Sequence, residues 1–147
     1  LDFKPKNPFR YFLNKLRYST QEARQMEYIG ILDGVFDFRY QELICNAVKT
    51  NRGLEGNTKL KRSITKHFVN YPSDFQLWLF LDNHDLNRFL FECNGDKKLL
   101  QEAINYTKQW HKPFLSYYGT EKGMSNKTVI HQIPYDDEQV RKPMIWD

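Results

Sequence analysis

The chain has little of what builds a covalent or metal-held scaffold. Cysteine occurs only at Cys45 and Cys93. Without paired spacing or an accompanying histidine pattern, these two make neither a disulfide framework nor a zinc site. Cys45, between Ile44 and Ala47, reads as a small buried side chain. Long apolar runs are also missing, and nothing approaches the ~20 residues of a membrane helix. Nor is there a block of one charge sign. The 22 basic and 18 acidic residues are dispersed, so the net charge of +4 and pI ≈ 9.0 are a weak hint of a nucleic-acid module at best, and such a module has no recognised motif here. Internal repeats and low-complexity tracts are absent too.

What is present is an alternation of helical and strand patterns joined by short connections, the signature of an α/β architecture. Residues Pro8 to Met26 carry a helical pattern, with Ser19 and Glu22 at capping-box spacing and Gly30 as a stop. Val35 to Phe38 reads as a short strand and Gln41 to Lys49 as a helix. The glycines and asparagines of Asn51 to Asn57 mark a connection. Leu60, Ile64, Phe68 and Val69 recur at helical spacing until Pro72 ends the pattern. Lys97 to Trp110 is a further helix, leading from one strand to a parallel neighbour. His67 and His111 read as surface or helix-end residues, and His131 as part of a mobile loop from Ser125 to Gln139.

The richest chemistry lies in Phe80-Leu81-Asp82-Asn83-His84-Asp85-Leu86-Asn87-Arg88-Phe89. Polar groups follow the apolar run Leu77 to Leu81 without a break, which predicts a strand buried on both faces that ends in a cluster of hydrogen-bonding side chains. In a parallel barrel that carboxyl end is where chemistry sits. Two further motifs follow in order: Tyr117-Tyr118-Gly119-Thr120-Glu121-Lys122-Gly123 after Pro113, and Arg141-Lys142-Pro143-Met144-Ile145-Trp146.

Together these three motifs resemble the α-amylase superfamily of retaining glycoside hydrolases. In that family the seventh barrel strand ends in Asn-His-Asp, the eighth in Tyr-Tyr-Gly-x-Glu-x-Gly, and an Arg-x-Pro-Met-x-Trp loop comes after. The resemblance implies a partial TIM (β/α)8 barrel, approximately strands six to eight with their helices. Residues 1–147 would be one domain, truncated at both ends, since a whole barrel needs about 250 residues. Leu1 to Lys6 would be the loop leaving strand five, and Asp37 a structural residue of strand six.

By the same resemblance Asp85 is a third carboxylate that stabilises the transition state, and His84 binds hydroxyls of the same sugar. Asn83, Arg88 and Tyr118 are further candidates for substrate contact, Arg88 also for holding a carboxylate. Asp82 and Asn83 have an alternative role in capping the strand end. Tyr117 suits sugar stacking or the core. Glu121 is expected to be structural; Arg141, Met144 and Trp146 would pin the last loop, and Asp147 would face the cleft. The nucleophile and the general acid have no motif here. No metal ligand set is visible, although the family admits calcium held by an upstream region.

The expected partner is an α-glucan or α-glucoside, with no nucleic acid and no membrane. Localisation has no signal in this sequence. A transglycosidase of the same superfamily and a noncatalytic barrel serving as a binding scaffold are the alternatives.

Overall fold

The computed structural model describes residues 5–50 and 53–146, so the expectation for Asp147 lies outside it, as do parts of those for Leu1 to Lys6 and Asn51 to Asn57. The elements are α1 (Pro8–Arg17), α2 (Thr20–Met26), β1 (Gly34–Phe36), α3 (Phe38–Lys49), α4 (Thr58–Phe68), β2 (Gln76–Trp78), α5 (Phe89–Glu92) and α6 (Lys97–Lys108), then a 3-10 turn over Asp136–Val140. Side-chain oxygens of Asn7, Ser19, Asp37, Asn57 and Asp96 accept the first free backbone N–H groups of α1, α2, α3, α4 and α6. Ser19 and Glu22 form the reciprocal capping box that their spacing predicts.

β1 and β2 pair in parallel, with Gly34, Val35 and Phe36 opposite Gln76, Leu77 and Trp78. A Cβ on Gly34 would run into the Gln76 carbonyl, so the approach of the two strands depends on that glycine. On the other side Leu79 donates to the Pro113 carbonyl and accepts from the Leu115 N–H, both at 2.8 Å, in a parallel bridge to Phe114. Three segments therefore lie side by side in chain order, with helices in each connection.

The ladders are shorter than the apolar runs. The strand expected over Val35 to Phe38 stops at Phe36, because the Asp37 carboxylate accepts the Tyr40 N–H at 3.0 Å and starts α3. Phe80 and Leu81 are buried but lie beyond the paired segment. Nor is the central strand buried on both faces. Leu79 and Leu81 join Tyr40, Ile44, Ile64 and Ala103 in the main core under the helices. Phe36 and Trp78, on the alternate face, remain 56% and 41% exposed.

His67 corrects the surface reading. It is 2% exposed, with Nδ1 2.9 Å from Glu22 Oε1 and Nε2 2.9 Å from Asp37 Oδ1. A carboxylate can only accept, so both ring nitrogens carry protons and the ring is an imidazolium. Burial alone would lower its pKa, but the hydrogen bonds to Asp37 and Glu22 outweigh that and raise it. Burial pushes Glu22 upward in turn, and the His67 hydrogen bond prevails and holds it down to about 2. This cluster ties α2, the start of α3 and α4 together. A signal existed in the sequence, since His67 lies three residues after Ile64 and seven after Leu60, on the apolar stripe. Val69, counted in that stripe, is instead the exposed C-cap of α4.

Candidate active site

Asp82 is the first polar residue beyond the Leu79 bridge and it is buried. Its Oδ2 accepts the Phe89 N–H at 2.8 Å and its Oδ1 the Thr120 hydroxyl at 2.6 Å. These bonds link the chain after β2 to the start of α5 and to the turn after Tyr118. Burial raises the Asp82 pKa against the lowering by those two bonds. Asn83 Oδ1 accepts the Asp85 N–H at 2.8 Å, an Asx turn that lifts His84 and Asp85 to the surface.

The His84 and Asp85 side chains are each 61% exposed, with Nε2 and Oδ2 3.3 Å apart. Arg141 reaches both residues. Its Nη2 lies 3.1 Å from Asp85 Oδ1 and 2.8 Å from Asp137 Oδ2, and its Nε donates to the His84 carbonyl at 3.1 Å. An accessible carboxylate thus stands beside an imidazole and a guanidinium, a combination of acceptor and donors suited to a polyhydroxylated ligand.

Arg88 sits deeper than the sugar contact expected of it, with 0% of its surface exposed. Its Nη1 donates to the Tyr118 carbonyl at 2.6 Å, and its guanidinium carbon lies 4.3 Å from the Tyr117 ring centre and 4.9 Å from that of Tyr118. The charge therefore supports the two aromatic rings from below. Nε and Nη2 have no hydrogen-bond partner among the described residues. Tyr117 lies 6.5 Å from the His84 ring, and burial pushes its phenol up to about 12. Tyr118 is partly exposed and donates its hydroxyl to the Lys142 carbonyl at 2.8 Å.

Of the residues expected to pin the final loop, Arg141 does so and Trp146 does not. Trp146 is 81% exposed, whereas Arg141 and Tyr118 make the attachments. The stretch Ser125 to Gln139 is likewise tied down: Gln139 Oε1 accepts the Lys127 N–H at 3.0 Å, and Asn126 is buried against Asn87 and Arg88. Asp137 and Arg141 had a legible signal in their i,i+4 spacing, but spacing does not show that the pair would meet Asp85. Cys45 is buried, as read from the sequence, and burial pushes its thiol up to about 11. Among the described residues no three His, Cys, Asp or Glu side chains converge as metal ligands would. Among them, too, no helix is long and apolar enough to cross a membrane.

Parallel strands connected through helices, with a polar turn at the carboxyl end of the central one, make an α/β unit of the kind from which β/α barrels are built. Residues 16–147 match the family described as alpha amylase, catalytic domain, and the chain belongs to this α-amylase superfamily of glycoside hydrolases. It is 29% identical over 117 residues to neopullulanase 2 of Thermoactinomyces vulgaris, covering 78% of this chain and 18% of that protein. To alpha-amylase 2 of Dictyoglomus thermophilum it is 28% identical over 154 residues, covering 99% of this chain and 25% of that protein. The fold is similar to the crystal structure of the alpha-amylase from H. orenii, with a TM-score of 0.63 at 21% identity, over 95% of this chain and 29% of the other. The chain thus spans a quarter or less of the length of these two curated relatives.

Proposed function

We propose that residues 1–147 form one partial barrel domain of a retaining α-glycosidase that acts on α-glucans or α-glucosides. In this reading β1, β2 and the Phe114 segment are strands six, seven and eight. The observation that carries it is the exposed His84–Asp85 turn at the carboxyl end of β2, ion-paired to Arg141. The neopullulanase and alpha-amylase among the relatives support the choice of substrate class.

Retaining cleavage requires a nucleophile and an acid/base about 5 to 5.5 Å apart. These two carboxyl groups would come from barrel strands outside residues 1–147. Asp85 is the third carboxylate: it accepts hydrogen bonds from sugar hydroxyls, and those bonds strengthen as the ring gains oxocarbenium character. His84 donates to hydroxyls of the same sugar. Asn83 shapes the turn and Tyr118 offers a ring edge beside it. Arg88 acts through Tyr117 and Tyr118 rather than by touching the sugar. Calcium, which the family admits, would by the same resemblance be held by an upstream region.

The test is release of reducing sugar from soluble starch, maltooligosaccharides and sucrose by the full-length protein. Asp85→Asn should lower turnover at least ~100-fold, the scale of losing one preorganised transition-state contact. Unchanged turnover in that variant would remove Asp85 from the mechanism, and a folded protein inactive on every substrate would favour the scaffold alternative.

A further inference from the structure

The turn that carries Asp85 is held from a loop more than forty positions further along. Asn87 Oδ1 accepts the Ile130 N–H at 3.1 Å and the Asn126 carboxamide at 3.0 Å, and Asn126 Oδ1 accepts the Arg88 N–H at 2.8 Å. These bonds bring His131 beside the turn, where its Nε2 lies 3.0 Å from the Asp85 carbonyl oxygen. A carbonyl only accepts, so Nε2 carries the proton and donates.

The backbone of His131 is itself constrained. Its φ of 66° lies in the left-handed region, which few residues with a side chain occupy, histidine more readily than most. Asp136 holds it there: Oδ1 accepts the His131 N–H at 2.6 Å, and Oδ2 accepts those of Gln132 at 2.8 Å and Ile133 at 3.0 Å. A buried carboxylate thus orients a short loop so that an imidazole reaches the peptide bond of a residue 46 positions away.

On its α3 side the Asp85 turn borders a crevice of about 280 Å³, lined also by Gln41, Cys45, Asn87 and Ile130. The packing there is open, so hydrogen bonds must restrain the turn. Arg141 takes the His84 carbonyl and His131 takes the Asp85 carbonyl, fixing two consecutive peptide units while leaving the carboxylate 61% exposed to a ligand.

Resting on the reading of Asp85 as the transition-state carboxylate, we propose that His131 is a positioning residue for Asp85, presented by Asp136. It does not touch substrate. Its contribution is to hold the carboxylate within the few tenths of an ångström that productive geometry demands.

The experiment compares kcat and KM on maltooligosaccharides for the full-length protein and its variants His131→Ala, His131→Gln, Asp136→Ala and His131→Ala/Asp136→Ala, with Asp85→Asn as reference. His131→Ala should lower kcat about three- to tenfold, the scale of one neutral hydrogen bond, with KM changed by less than about twofold. His131→Gln keeps an N–H that can reach the same carbonyl and should recover most of kcat. The double variant should be no worse than Asp136→Ala alone, because both changes remove the same bond. Wild-type kcat in His131→Ala, with Asp85→Asn inactive, would overturn the positioning role, and so would equal losses in His131→Ala and His131→Gln. Wild-type kcat in Asp85→Asn would instead overturn the reading on which the proposal rests.

Discussion

His67 and Asp37, 30 positions apart, meet at 2.9 Å inside the protein, and Glu22 closes on the other ring nitrogen at the same distance. One cation between two carboxylates holds three helical segments together. Removing it would leave both acids buried without their partner, a loss of about 3–5 kcal/mol for a broken buried pair.

This charge arrangement predicts a stability profile with two limbs. His67 is raised above its ordinary 6.5, so its contribution is complete below that pH and fades as pH rises through the higher folded-state value. Glu22 is lowered from 4.5 to about 2, so its contribution is complete above pH 4.5 and fades as pH falls toward 2. The urea midpoint should be highest between these limbs. In His67→Gln the midpoint should be lower and the alkaline limb flat; an unchanged alkaline limb would show that His67 is not the titrating group.

Gly34→Ala should destabilise the sheet although the substitution is small. The added methyl would meet the Gln76 carbonyl across the ladder, and overpacking of this kind costs about 1–3 kcal/mol. Gly30→Ala is the comparison, since a methyl there meets nothing within 4 Å and only the positive φ of 77° opposes it. Thermal unfolding should rank Gly34→Ala as the worse of the two, and the reverse ranking would deny that close strand approach selects the glycine.

Arg88→Lys keeps the charge and loses the planar fork. A lysine ammonium cannot both bond the Tyr118 carbonyl and lie flat against two phenol rings, so the variant should lose about 1–3 kcal/mol of stability. Stability equal to wild type would mean that charge alone is needed beneath Tyr117 and Tyr118.

The 147-residue polypeptide expressed alone should aggregate and show no glycosidase activity. Phe36 and Trp78 leave one sheet face uncovered, and among the described residues β1 pairs with a neighbour on only one side. An open edge beside an apolar face recruits other chains. Light scattering and a starch assay on the purified polypeptide check both parts, and turnover would contradict the assignment of nucleophile and acid to other residues.

Local chemistry was readable without coordinates. Helix α6 follows from the spacing of Leu99, Leu100, Ala103 and Ile104, and the capping box at Ser19 from two residues three apart. Both depend on groups within one or two turns, which spacing encodes directly. The turn at Asn83 was legible for the same reason, because an asparagine two residues before a free N–H makes its own bond. The ends of β1 and β2 were not, because an apolar run records hydrophobicity and not whether a neighbouring backbone is there to pair.

By itself, then, the amino-acid sequence determined the five longer helices, the order of the strands, the polar turn after β2 and the family resemblance carried by three motifs, but not the short helix α5. Only the tertiary structure decided that His67 is a buried cation, that Arg88 lies beneath the tyrosines, and that Arg141 and His131 reach the Asp85 turn from 56 and 46 positions away. The physical reason is common to all of these. Each contact joins segments far apart in the chain, so its geometry depends on how helices and sheet pack, and residue spacing along one segment carries no record of that.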